Sequence, residues 1–342
     1  MRNVAGSAAS DTGAFVGGGC YNSAIGRYAA VGGGRYNYAY GTKTTIAGGD
    51  SNRIEGYGYG TISGGRYNRI VETYGSVGGG YSNLVSGSVG TIGGGDANVV
   101  AGAAAVVGGG RFNTNYGYRG VIGGGYSNDV RDYYGSVGGG YMNDAWGYAS
   151  AITGGYLNQI GRDTFGTDGD YAFAAGYRAK AKANGSFVWG DATNSDVVSD
   201  TDNMWVARCA GGVKFFSNGA MTTGVRLAPG GGSWGSISDS LTKENFRSLD
   251  KQVLLDRLAG LRVREWNFKS QDPAIRHIGP VAQDLYNAFG YGETERMINT
   301  EDADGVLFAA VQALYEQNRE LRADTRAMQA EIEALRAELK RR

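Results

Sequence analysis

A fifteen-residue period runs through the first half of this chain. Asparagines stand at Asn22, Asn37, Asn52, Asn68, Asn83, Asn98, Asn113, Asn128, Asn143 and Asn158, with one step of sixteen between Asn52 and Asn68. Six residues before each comes Val or Ile, from Val16 and Val31 to Ile152. Four and three residues before each come two glycines, from Gly18-Gly19 to Gly154-Gly155. All ten units obey these rules, so they are read as one object. Fifteen residues is too short for a helical hairpin or a propeller blade. It suits one coil of a β-solenoid or β-roll. The β-branched residue would point inward and stack on its counterparts. The glycines allow a tight corner at positive φ. The asparagine tolerates left-handed geometry and can build an amide ladder along the stack. Ten coils at ~4.8 Å each predict a rod segment on the order of 50 Å long. Each coil has few inward apolar residues, which favours an oligomer over a lone rod.

The rest of the chain differs in composition. Of the 61 glycines, 56 precede Ser238, whereas charged residues crowd into the last third. Two such regions read as separate domains. High glycine with only Pro229, Pro273 and Pro280 excludes collagen and proline-rich linkers. The 33 basic and 33 acidic residues balance, so the basic footprint of a nucleic-acid binder is missing. Cys20 and Cys209 are too sparse for a disulfide framework and are expected to be unpaired thiols. With His277 the only histidine, a His/Cys zinc cluster is excluded. The glycine units lack repeated Gly-x-Asp calcium ligands. No metal or cofactor is expected. No signal-peptide core or membrane-spanning stretch is present in the sequence as given, so membrane insertion is not expected.

Aromatics keep the same period. Tyr21, Tyr36, Tyr67 and Phe112 stand just before the asparagine, and Tyr81, Tyr126, Tyr141 and Tyr156 one position earlier. Arg35, Arg66 and Arg111 precede three of the first group. Tyr and Arg on a surface are the composition of many binding sites, which makes Tyr36, Tyr67, Tyr81, Tyr126, Tyr141 and Tyr156 a possible ligand surface. Alternatively the rings only cover the coil corners.

The repeats resemble the head modules of trimeric autotransporter adhesins of the YadA type. The resemblance sharpens at Tyr171-Ala172-Phe173-Ala174-Ala175-Gly176-Tyr177-Arg178-Ala179, Ala181 to Ala183, and Gly185-Ser186-Phe187-Val188-Trp189-Gly190. It implies parallel β-rolls with three chains side by side. The family's units are usually about 14 residues and lack the double glycine, so the array departs from the type. Beyond it, Met204 to Arg208 and Val213 to Phe216 read as short strands, and Gly230-Gly231-Gly232-Ser233-Trp234-Gly235 as a flexible approach.

At the composition break stands Ser238-Asp239-Ser240-Leu241-Thr242-Lys243. A lysine can serve as general base to a serine when burial lowers its pKa, and Ser-Lys pairs are a recognised alternative to the Ser-His-Asp triad. Alone, S-D-x-x-x-K equally describes a helix cap followed by a solvated lysine. Downstream come Trp266-Asn267-Phe268-Lys269, Ile275-Arg276-His277-Ile278-Gly279-Pro280-Val281-Ala282-Gln283-Asp284, Ile298-Asn299-Thr300 and Asp302-Ala303-Asp304-Gly305-Val306. From 238 to about 320 these segments closely resemble the intramolecular chaperone domain of endosialidases and phage tail fibres or spikes. Phe268 and Leu285 depart from the commoner tyrosine and phenylalanine. The resemblance implies a domain that trimerises, templates folding of the preceding β-structure and then cuts itself off between Ile237 and Ser238. Ser238 would be the nucleophile and Lys243 the base, with Asp239 and His277 possible auxiliaries. His277 could equally hold its loop. The reaction would be single-turnover, with no external substrate.

In the last segment Val311, Asn318, Thr325, Ile332 and Leu339 fall seven apart, as do Leu314, Leu321, Met328 and Leu335, three residues later. This is an a/d heptad seam, with polar Asn318 and Thr325 controlling register. One amphipathic helix packed on its own domain is the other reading.

The expected fold is a mostly β repeat (β-roll or β-solenoid, trimeric), then a small α+β chaperone domain and a C-terminal coiled-coil helix. The expected divisions are a lead-in (1–15), ten repeats (16–165), an adhesin-head-like segment (166–195), a β connector (196–237), the chaperone and autopeptidase (238–305) and the coiled coil (306–342). The chain reads as a homotrimeric fibre of a virion tail or a bacterial surface, contacting a host glycan or protein receptor. The alternative is a structural spacer with a non-cleaving trimerisation domain. A hydrolase acting on an outside polymer is disfavoured, because the repeats hold no histidine and no evident carboxylate pair.

Overall fold

The structure, a computed structural model, describes residues 2–6, 13–161 and 168–341. The chain divides into two compact units, Met1–Ile237 and Ser238–Arg342.

The first unit is a β-solenoid. Each coil gives one short strand to each of two thirteen-stranded parallel sheets. One runs from Phe15–Val16 through Ser76–Val77 to Trp205–Arg208. Its strands carry the Val or Ile that precedes each glycine pair, so it is called here the glycine-flanked sheet. The other runs from Val4–Ala5 through Leu84–Val85 to Val197–Val198 and follows each asparagine. Register matches the period: Val77 pairs with Ile62 on one side and Ile92 on the other.

The expected inward column is fully buried from Val31 to Val137. A second inward column lies two residues after each asparagine, with Ala24, Ala39, Ile54, Ile70, Val85, Val100, Val130, Ala145 and Ile160 at 0% exposure. Asn115 takes that place in one coil, and its amide is satisfied by Val106 O and Gly117 N. Between the columns there is room only for small residues such as Ala29, Thr44 and Gly90. A Cβ at Gly90 would lie 2.7 Å from Val100 Cγ1.

The ladder asparagines are buried inside the coil. Asn98 Nδ2 donates to Gly94 O, Gly110 O and Asn83 Oδ1, and its own Oδ1 accepts from the backbone and side chain of Asn113. The amide ladder is therefore present, but the left-handed residue is the one before the asparagine, as at Tyr36 (φ 56°) and Phe112 (φ 58°). The reason is hydrogen-bond direction. Most ladder amides donate to the following coil, as Arg35 N does to Gly49 O, whereas Tyr36 N turns back to Cys20 O. A second left-handed corner does the same, with Lys43 N reaching Arg27 O.

The sixteen-residue step is absorbed at one corner. Thr42 bridges Gly58 and Tyr59 N donates to Thr42 O, which leaves Tyr57 as the extra residue, 90% exposed. A longer insertion falls between Ile160 and Ala172, and the expected 165/166 boundary lies there, outside the described residues. The boundary at 195/196 is corrected: Val197–Val198 and Trp205–Arg208 are the last strands of the same two sheets. The connector proper is a three-stranded antiparallel sheet of Val213–Phe216, Gly224–Leu227 and Trp234–Ser236.

The second unit holds three helices, α1 (Lys251–Ala259), α2 (Ala282–Phe289) and α3 (Thr300–Arg341), and an antiparallel strand pair, Arg264–Trp266 with His277–Gly279. Asp250 caps α1 by accepting from Gln252 N and Val253 N. The core is small: Leu254 of α1 and Val306, Ala309 and Ala310 of α3, with Leu255, Leu258 and Phe289 against them. The expected coiled-coil segment starts inside α3, whose first residue is Thr300. No helix among the described residues is long and apolar enough to cross a membrane.

Candidate active site

The first residues of the second unit form a compact turn. Asp239 caps a short 3-10 helix, Ser240–Thr242: its Oδ1 accepts from Leu241 N at 2.9 Å, and its carbonyl accepts from Thr242 N and Thr242 Oγ1. One helical turn spans the four residues between Ser238 and Lys243. After it the backbone returns to an extended conformation at Lys243 (φ −119°, ψ 148°). The lysine side chain thereby folds back, and Lys243 Nζ lies 2.5 Å from Ser238 Oγ. Both residues are exposed in the single chain. The cap reading of S-D-x-x-x-K thus holds for Asp239, while the lysine is engaged with the serine.

The residue upstream of Ser238 belongs to the first unit. Ile237 is half-buried, and its amide donates to Gly224 O at 2.9 Å, extending the ladder of the Trp234–Ser236 strand by one bond. The Ile237–Ser238 peptide is thus the covalent link where the two units meet in sequence.

His277 is held by partners of its own. Its Nε2 lies 2.8 Å from Gln271 Oε1, a contact the Nε2–H tautomer makes as donor. Its ring packs 4.8 Å from Trp266 and 5.6 Å from Phe268. Trp266 and His277 pair directly across the two strands, which is what brings the rings together. Arg264 at the other end of that pairing meets Asp284 of α2 at 2.8 Å. The structure therefore joins Ser238, Asp239 and Lys243 and places His277 in a strand-and-loop cluster. Gln271 was not singled out by sequence; no periodic signal marks a loop residue.

Four of the six tyrosines of the candidate ligand surface, Tyr36, Tyr126, Tyr141 and Tyr156, stack face to face on a neighbouring ring. Tyr21 stacks on Tyr36 at 5.0 Å, and Tyr126, Tyr141 and Tyr156 stack at 4.9 and 5.0 Å. Tyr67 meets Tyr81 edge-on at 5.7 Å. Where the column lacks rings, charges alternate: Asp50 lies between Arg35 and Arg66 at 2.9 and 3.4 Å. A hydrogen bond from Ser51 and the two guanidinium groups hold the Asp50 carboxyl below its usual range. Cys20 and Cys209 are both unbonded. Among the described residues no His, Cys, Asp or Glu cluster gathers that could hold a metal ion.

No curated protein matches the chain. One protein-family model does, over residues 238–291, beginning on the serine of the Ser-Lys pair: Peptidase_S74, the chaperone of endosialidase.

Proposed function

We propose that the chain is a homotrimeric fibre protein whose second unit drives assembly and then detaches by cutting the Ile237–Ser238 bond. The observation that carries this reading is the coincidence of three things at one residue. Ser238 begins the match to the endosialidase chaperone, begins the second compact unit, and lies 2.5 Å from Lys243 Nζ.

The chemistry balances within the chain and one water. Lys243, as the neutral amine, takes the proton of Ser238 Oγ, which attacks the Ile237 carbonyl carbon. The C–N bond breaks as the ester forms, and the lysine returns the proton to the departing Ser238 amine. Water then hydrolyses the ester, freeing the Ile237 carboxylate and regenerating the serine. An amine accepts a proton only when neutral, and removal from water favours that form. Because the pair is exposed in the single chain, this reading couples the cut to assembly. The cut would leave the Trp234–Ser236 strand and the Ile237 amide bond in place. With the folding template gone, the fibre would be kinetically stable.

Trimerisation is supported by α3. Its seam residues Val311, Leu314, Leu321, Met328, Ile332, Leu335 and Leu339 are all exposed, while different residues, Val306, Ala309, Ala310 and Ala313, face its own unit. A helix packed only on its own domain would leave no such stripe.

For the rod, attachment to a host glycan or protein on a virion tail or cell surface is the primary reading. The stacked columns favour a second one, a structural spacer, because rings that spend their faces on each other offer a ligand mainly edges and hydroxyls. Lysine variants test the cut. Lys243→Met and Lys243→Arg should both slow fragment formation by about 10²–10⁴-fold, since neither offers a neutral amine. Undiminished cleavage in Lys243→Arg, followed on denaturing gels, contradicts the dyad.

A further inference from the structure

Ser238 and Lys243 stand five residues apart, a spacing that no regular backbone brings together. At ~100° per residue, an α-helix would turn the lysine roughly 140° away from the serine. A strand would carry it roughly 16 Å along the chain. The pair meets because one tight turn, Ser240–Thr242, is followed at once by extended backbone at Lys243. The contact between Lys243 Nζ and Ser238 Oγ therefore depends on whatever holds that turn.

Packing within the chain does not hold it. Every residue from Ser238 to Asp250 is exposed, and Leu241 inside the turn is 92% exposed. A lone turn of 3-10 helix also fixes several residues for few bonds. What remains is polar and local. Asp239 Oδ1 accepts from Leu241 N at 2.9 Å, and Asp239 O accepts from Thr242 N at 3.1 Å and Thr242 Oγ1 at 2.8 Å. Lys243 N donates to Ser240 O at 3.2 Å. Three of these four bonds converge on Asp239. Among the described residues the bond from Leu241 N is the one its carboxylate makes, so the carboxylate serves the backbone of the turn and not the lysine amine.

We infer that Asp239 is a positioning residue for the cut: its carboxylate caps the turn that holds Lys243 Nζ against Ser238 Oγ, and its charge takes no part in the chemistry. The inference rests on the Ser-Lys reading above and names what orients that pair. An oxygen on a short side chain is all a cap requires, so asparagine serves as well as aspartate. Glutamate keeps the charge but sets it one carbon further out, off the preferred capping residues.

The experiment separates cap from charge. Asp239→Asn, Asp239→Ala and Asp239→Glu are made in the full chain by cell-free synthesis, and the conversion of whole chain to fragments is followed over time on denaturing gels. Asp239→Ala should cut about 3–30-fold more slowly than the parent, the loss expected of a missing cap. Asp239→Asn should rescue the rate to within about threefold of the parent, whereas Asp239→Glu should stay slow. Asp239→Glu is also the second cap-free variant should Asp239→Ala fail to fold. Parent-like rates in both cap-free variants overturn the inference. So does a parent-like rate in Asp239→Glu with a slow Asp239→Asn, which would make the charge the active feature. Both of these results leave the Ser-Lys reading standing. A parent that stays whole overturns that reading and the inference with it.

Discussion

Each buried asparagine ties its coil to the coils on both sides, so one side chain does the work of several backbone bonds. Replacing Asn98 by alanine strands Gly94 O and the amide of Asn113 inside the solenoid, while Gly110 O keeps only its bond from Asp96 N. Leaving such groups unsatisfied should destabilise the unit by about 2–4 kcal/mol. Ala97→Ser, at the neighbouring corner, should change little. Urea unfolding of the two variants checks this, and equal midpoints would contradict the ladder's role. Asp191 fastens the last coil: it accepts from Ala210 N at 2.7 Å, Arg208 Nε at 2.8 Å and Thr193 N at 3.1 Å. These bonds, the Ala210 amide foremost, hold its carboxyl far below the usual range. A folded value below the unfolded one means the stabilisation is complete above about pH 4–5 and lost as pH falls through the folded value. The melting-temperature gap between the parent and Asp191→Asn should therefore stay flat at neutral pH and close on acidification. A gap that widens in acid would contradict the assignment. At this scale the sequence showed the asparagines because their identity never changes. The second inward column stayed hidden because its members range from Ala24 to Ile54 to Asn115, and two-residue strands are too short for alternation to show.

Among the elements, α3 was the most legible, because a seven-residue repeat over four heptads leaves arithmetic that no loop imitates. The structure adds that the seam and the face packed on α1 are different faces. Leu321 is 64% exposed on that seam. Leu321→Asp should reduce the native mass from three chains to one while the Leu254–Val306 core stays folded, since each seam leucine contributes about 1.5–3 kcal/mol when buried. An unchanged mass by light scattering would show that α3 does not hold the copies together. The end of the solenoid was less legible. Trp205–Arg208 lies eighteen residues beyond its partner in the previous coil, Phe187–Gly190. A coil of altered length erases the period by which coils are recognised, although the sheet continues unbroken.

For the whole molecule, a fibre built from coils with two inward aliphatic columns needs help to fold in register, because every coil offers nearly the same pairing surface. On the proposed reading, a separate unit that sets the number and alignment of chains would answer that need, and its removal would make the outcome permanent. The most direct test is the intact mass of the purified protein beside a Ser238→Ala variant. The account predicts that the parent yields one piece ending at Ile237 and one beginning at Ser238, while the variant stays whole at 35.9 kDa. A folded parent that also stays whole would contradict self-cleavage, leaving a repeat fibre with a permanent assembly domain.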